Sequence, residues 1–223
     1  MRLQASIDDA GDLLILAGDE ITVGHATSDA ADLALLADLE GVHARIRLVD
    51  SFHGGSTWRL AAEPGAAPPT VDGRAAERAE LVDGIEVSFG RGAAFAVRRS
   101  DPSSASVVLE LARGAESRGA RRVVLMAPEE AGRVRIGPRR RRHVPVAGLQ
   151  HDVAMVLTAG PSGGAGRLVV ACDGGARRAD LPADGATAVS IDLPIVRRVD
   201  LALGAAPERI PPFGIALRPV EEL

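Results

Sequence analysis

The chain contains no lysine; its 26 basic residues are all arginine. Schiff-base chemistry and lysine-dependent phosphate loops are therefore excluded. Aromatic residues are almost as scarce: no tyrosine, the single Trp58, and Phe52, Phe89, Phe95 and Phe213. That is too few to stack successive bases of a single-stranded nucleic acid. The only cysteine is Cys172, which rules out an intrachain disulfide framework and a zinc site built on several thiolates. No apolar run approaches the length of a membrane-spanning helix. The opening Met1-Arg2-Leu3-Gln4 gives way to Asp8, Asp9 and Asp12 rather than to the apolar stretch of a signal peptide. The expectation is a cytoplasmic protein with no membrane insertion.

What is present suits a folded chain. Apolar residues make up 46% of the 223, and mean hydropathy is +0.10. The abundance of Ala, Gly and Arg fits a GC-rich bacterial genome. Charge is uneven. Residues 1–104 carry 9 Arg against 17 acidic residues, a balance of −8, and residues 105–223 carry 17 against 13, a balance of +4, which together make the −4 of the whole chain. Such an asymmetry suggests two halves with different surfaces.

The polar segment from Arg99 to Ala105 contains Pro102 and reads as a linker. It predicts two units, 1–99 and 105–223. Their patterns repeat. Leu3–Ile7 corresponds to Val107–Leu111, and Leu13–Leu16 to Val123–Met126. Ile21–Gly24 corresponds to Val134–Gly137, and Ala44–Leu48, after His43, to Val153–Leu157, after His151. Trp58–Leu60 corresponds to Arg167–Val170, Ile85–Gly90 to Val199–Gly204, and Ala94–Val97 to Phe213–Leu217. Alternation favours strands: Ala44, Ile46 and Leu48 interleave with Arg45 and Arg47, and Ile85, Val87 and Phe89 with Glu86 and Ser88. Short runs between Gly and Pro turns predict an all-β fold of two tandem β-sandwiches. Asp32–Leu39 and Arg74–Leu81 have the composition of a turn or two of helix and read as loop insertions. On a linker of about seven residues, spanning at most ~25 Å, the two sandwiches are expected to form one fixed body.

The order of motifs in the first unit resembles that of the forkhead-associated (FHA) domain family. Ile21-Thr22-Val23-Gly24-His25 stands where the family has a strand ending in Gly-Arg, and Glu40-Gly41-Val42-His43-Ala44 where it has Ser-Arg-x-His-Ala. Val71-Asp72-Gly73 follows in place of Asn-Gly, and Leu81-Val82-Asp83-Gly84-Ile85-Glu86-Val87-Ser88-Phe89-Gly90 in place of Leu-x-Asp-Gly-Asp-x-Ile-x-x-Gly. The resemblance implies an eleven-stranded sandwich whose loops at one end bind phosphothreonine peptides. It also implies a framework of Gly24, His43, Gly73, Gly84 and Gly90. The family's phosphate-gripping Arg and Ser and its peptide-holding Asn are His25, Glu40 and Asp72 here, and the Arg after the Ser is Gly41. A neutral imidazole offers fewer donors than a guanidinium, and Glu40 sets a negative charge where a phosphate would sit. Two lost charge-assisted bonds, about 1.5–3 kcal/mol each, weaken phosphate binding on the order of a hundredfold or more. The second unit is a more divergent copy, with Pro138 after Gly137 and His151 in place of the family's histidine.

Arg139, Arg140, Arg141 and Arg142, followed by His143, are the densest charge run and a candidate anion site for a phosphorylated or acidic peptide. Gly160-Pro161-Ser162-Gly163-Gly164 matches a nucleophile elbow, but no histidine follows residue 151 to complete the required order. The five histidines lack ligand spacing, so no metal and no cofactor is expected. The expectation is a non-catalytic interaction or scaffold protein whose partner is another protein. Phosphothreonine peptides and nucleic acid are not expected ligands. One alternative is peptide binding through the arginine run. Another is a structural subunit of a bacterial assembly, with homo-oligomers formed between acidic and basic halves.

Overall fold

The computed structural model describes residues 1–51, 55–112, 115–128, 132–138, 140, 142–147, 149, 151–158, 167–172, 175–180, 189–193 and 213–219. The fold is all-β. The first half contributes β1 (Arg2–Ile7), β2 (Gly11–Ala17), β3 (Glu20–His25), β4 (Leu33–Leu35), β5 (Ala44–Asp50), β6 (Ser56–Ala62), β7 (Thr70–Val71), β8 (Arg74–Ala75), β9 (Arg78–Glu80), β10 (Glu86–Phe89) and β11 (Ala93–Arg98). The second contributes, among the described residues, β12 (Val107–Leu111), β13 (Arg122–Met126), β14 (Val134–Gly137), β15 (Val144–Pro145), β16 (Val153–Thr158), β17 (Arg167–Cys172), β18 (Gly175–Asp180), β19 (Val189–Leu193) and β20 (Phe213–Pro219).

These strands form three layers. The middle one is a ten-stranded sheet in the order β19-β20-β1-β2-β13-β12-β11-β10-β7-β8. A five-stranded sheet, β4-β3-β5-β6-β9, packs on one face, and another, β15-β14-β16-β17-β18, on the other. The central strands explain this. Leu13-Leu14-Ile15-Leu16 and Val123-Val124-Leu125-Met126 are continuous apolar runs, as strands buried on both faces require. Leu14, Leu16, Val123 and Leu125 point into the first core, with Ile21, Val23, Ile46, Trp58, Phe89 and Phe95. Leu13, Ile15, Val124 and Met126 point into the second, with Leu3, Ile7, Val134, Ile136, Val153 and Met155.

The two halves repeat each other in their pairings. β3 pairs in parallel with β4 and antiparallel with β5, and β14 does the same with β15 and β16. β2 and β13 lie side by side in parallel at the centre. Outward from that pair the order is β1-β20-β19 on one side and β12-β11-β10 on the other. The layout is that of a twofold axis running along the strands, which turns one face of the sheet into the other.

The expected boundary at 99–105 takes a different form. Strands β11 and β12 are antiparallel neighbours, so this segment is the turn between two paired strands. Each half's opening hairpin lies against the other half's last strand: β12 on β11, and β1 on β20. Consequently Val107, Leu109 and Ala120 complete the first core, and Leu3, Ala5 and Ile7 the second. The halves are interlocked through one shared layer. Side-chain alternation fixes which face of a strand is buried but not which neighbour it takes, so the repeat pattern alone could not show the exchange.

The two stretches of helical composition also carry strands. Leu33–Leu35 is wholly buried beside β3, and Asp32, just before it, accepts the Thr22 N–H and hydroxyl at 2.9 and 2.8 Å. Arg74–Leu81 holds β8 and β9. Edge pairing outweighs the weak helix preference of so short a segment.

Candidate functional site

His25, Glu40 and Gly41 come together at one end of the first core. The His25 N–H donates to the Glu40 carbonyl at 3.0 Å. Gly24 lies so close to this loop that a Cβ would stand 1.9 Å from the Gly41 oxygen. Behind them His43 is buried, accepts the Glu40 N–H on Nδ1 at 3.4 Å and meets Phe89 edge-on at 5.8 Å. It supports the loop and does not face solvent. The His25 ring turns back on its own loop, with Nδ1 3.2 Å from the Thr27 N–H and 2.8 Å from its hydroxyl.

Asp72 is not part of this group. It sits with Gly73 in the two-residue turn between β7 and β8, where φ values of 48° and 78° suit an Asp-Gly hairpin. Its Oδ1 accepts the Glu86 N–H at 2.9 Å, at the start of β10. Gly90 follows the far end of β10, and the turn there approaches Ala37, beside the Glu40 loop. Asp72 therefore lies a strand's length from His25 and Glu40. Gly84 is in the turn before β10.

The charge around His25 and Glu40 is mainly negative: Asp29, Asp38, Glu40 and Glu77 are exposed on the same loops or beside them. The two arginines of β5 are engaged. Arg45 bonds both Glu20 and Glu63, and Arg47 reaches Glu20 at 2.6 Å. Hydrogen bonds from Arg45 and Arg47 hold the Glu20 carboxyl below the usual carboxylate range. A shallow cleft of ≈ 280 Å³ beside Glu63 is walled by Pro64, Pro68, Glu77 and Arg78.

In the second half, Arg139 and Arg141 lie outside the described residues. Arg140 is exposed, and its carbonyl accepts from Arg98 at 3.5 Å. Arg142 grips Asp152 with two bonds, Nε to Oδ1 at 2.9 Å and Nη2 to Oδ2 at 2.6 Å. Strand register makes Gly137 the counterpart of Gly24 and Asp152 that of His43. His151 is exposed and falls one place earlier, so the correspondence of His151 with His43 is corrected by one residue. An imidazole supports the loop in the first half; an Arg–Asp pair occupies that place in the second.

The best-connected polar cluster was missed in sequence. Asp101, Ser104, Ser106 and His143 are all buried where the 99–106 turn crosses β14. Asp101 accepts from the Ser103 N–H and hydroxyl at 3.0 and 2.7 Å and pairs with Arg135 at 2.9 Å. Ser104 and Ser106 donate to the carbonyls of Arg133 and Gly132 at 2.6 and 2.8 Å. His143 Nδ1 accepts the Arg135 N–H at 3.0 Å, and Nε2 lies 3.2 Å from the Ser106 carbonyl. Burial pushes the His143 pKa down; the Ser106 bond and Asp101 oppose this, and Arg135 and Arg142 add to it. Serine, histidine and aspartate meet here without a relay, because the Ser106 hydroxyl is committed to Gly132 and the imidazole to main-chain groups. The only sequence signal was Ser103-Ser104-Ala105-Ser106 in a presumed linker.

The Ser162 motif lies outside the described residues, as do Val199–Gly204, His53 and Phe52. Among the described residues no group of three or more His, Cys, Asp or Glu could hold a metal ion, and no helix is long and apolar enough to cross a membrane.

No protein-family model matches the chain, and no curated protein matches it. Among solved structures it is similar to the Slr1951 protein from Synechocystis sp. at 19% identity, over 42% of this chain and 92% of that one, with a TM-score of 0.32. That similarity is too low to carry an argument about fold or function.

Proposed function

We propose that the protein is a non-catalytic protein–protein interaction body that does not select phosphothreonine. The observation that carries this reading is the composition of the loop end around His25: a histidine turned onto its own loop, held against Glu40, with Arg45 and Arg47 paired to glutamates. An anion arriving there meets carboxylates, and the guanidiniums of Arg45 and Arg47 are already engaged. Arg142, locked to Asp152, weighs against transfer of that role to the arginine run. What remains for recognition is a mainly acidic loop surface suited to a protein partner.

Titration calorimetry with matched threonine and phosphothreonine peptide pools tests the reading. Equal heats, or none, are expected from both pools. Micromolar binding confined to the phosphorylated pool, and abolished by His25→Ala, would overturn it.

A further inference from the structure

The two halves use one local device with different chemistry. In the first, the residue just before β4, Asp32, accepts the main-chain N–H of Thr22 on β3. In the second, the residue just before β15, His143, accepts the main-chain N–H of Arg135 on β14. Register makes the positions equivalent: Val23 pairs with Leu33, and Ile136 with Val144. A carboxylate remains an acceptor at any pH near neutral. An imidazole nitrogen accepts only while it is unprotonated.

His143 also sits at the joint. Its Nε2 faces the Ser106 carbonyl, in the turn that leads from β11 into β12. That turn is fixed from the other side by Trp58, whose indole N–H donates to the Ala105 carbonyl at 2.7 Å. With Nδ1 accepting from Arg135, the proton of the neutral ring must be on Nε2, donating to Ser106. Both ring nitrogens are thus committed in one tautomer. A second proton would place N–H against N–H at Arg135. The charged groups around the ring are Asp101 from the turn, Arg135 from β14 and Arg142 beside it. Asp101 favours the imidazolium; the two guanidiniums oppose it, and the site is closed to water.

We propose that this joint holds an acid-sensitive clasp, in which protonation of His143 breaks its bond to the Arg135 N–H and loosens the segment leading into β15 from β14. The direction follows from burial. The closed state holds His143 neutral, while the open state takes up a proton at the ordinary imidazole pKa of about 6.5. The clasp is at full strength above that value and weakens as pH falls below it. Opening grows about tenfold per pH unit until the closed form itself protonates. Asp101, with its pKa held below the usual carboxylate value, stays ionised throughout this window.

Amide hydrogen exchange on the full chain between about pH 5 and 8, corrected for intrinsic rates, tests the clasp. Protection of the main-chain amides of Arg135, bonded to His143, and Val146, bonded to the Gly137 carbonyl of β14, is expected to fall about tenfold per pH unit below about 6.5, while Val87 in β10 is unaffected. His143→Asn, which keeps a short acceptor as Asp32 does, should make protection independent of pH over this range. Protection that stays constant in the natural protein, or an unchanged pH dependence in His143→Asn, would overturn the proposal. Should that variant not fold, proton NMR of the His143 ring in the natural protein decides. A titration accompanied by loss of Arg135 protection supports the clasp; a titration that leaves protection intact refutes it.

Discussion

Trp58 is the only tryptophan, is fully buried in the first core, and carries the one indole donor that reaches the Ala105 carbonyl. Its two roles can be separated. Trp58→Phe keeps most of the packing but strands a buried carbonyl, a cost of about 1–3 kcal/mol. Trp58→Ala also leaves a cavity and should cost about 3–5 kcal/mol. Urea denaturation of both variants checks the order and the gap between them. The largest side chain of the protein thus ties the first core to the turn that begins the second half. The apolar character of Trp58 was legible in the sequence, since Trp58 and Leu60 alternate with Arg59. The carbonyl it serves, 47 residues away, was not.

At the scale of strands and turns, the repeat contains two close approaches of different hardness. A Cβ at Gly24 would collide with the Gly41 backbone at 1.9 Å, and one at Gly137 with a side-chain atom, Asp152 Oδ1, at 2.1 Å. Backbone must move in the first case; in the second a carboxylate can rotate at the expense of its bonds to Arg142. Gly24→Ala should therefore be the more destabilising by at least about 1 kcal/mol, with typical overpacking costs of about 1–3 kcal/mol as the scale. Thermal melts of the two variants, compared side by side, test this. The glycines and most strand positions could be read in advance, because alternation and turn residues are local signals. The short strand at Leu33–Leu35 could not, because its identity comes from parallel pairing with β3 rather than from its own composition. Asp72 was misplaced for a similar reason. An Asp-Gly pair marks a tight turn, but only the strand directions show at which end of the sandwich that turn lies.

For the whole molecule, the ten-stranded sheet makes the two halves mutually dependent. The hairpin of β1 and β2 supplies Leu3, Ala5 and Ile7 to the second core, and the hairpin of β12 and β13 supplies Val107 and Leu109 to the first. The union is closer than contact across a linker, since no cut near residue 100 leaves both cores complete. The interlock rests on β1 lying on β20 and not on β11. Ser6 stands opposite Ala216, both exposed, in the β1–β20 pair. By the internal repeat, Ser6 would instead stand opposite Ala96 if each hairpin stayed with its own half. The most direct measurement is oxidative cross-linking of two full-length double-cysteine variants in a Cys172→Ser background, read by mass spectrometry of proteolysed monomer. A disulfide is expected in Ser6→Cys/Ala216→Cys and none in Ser6→Cys/Ala96→Cys; the reverse result would place β1 on β11 and overturn the interlocked sheet.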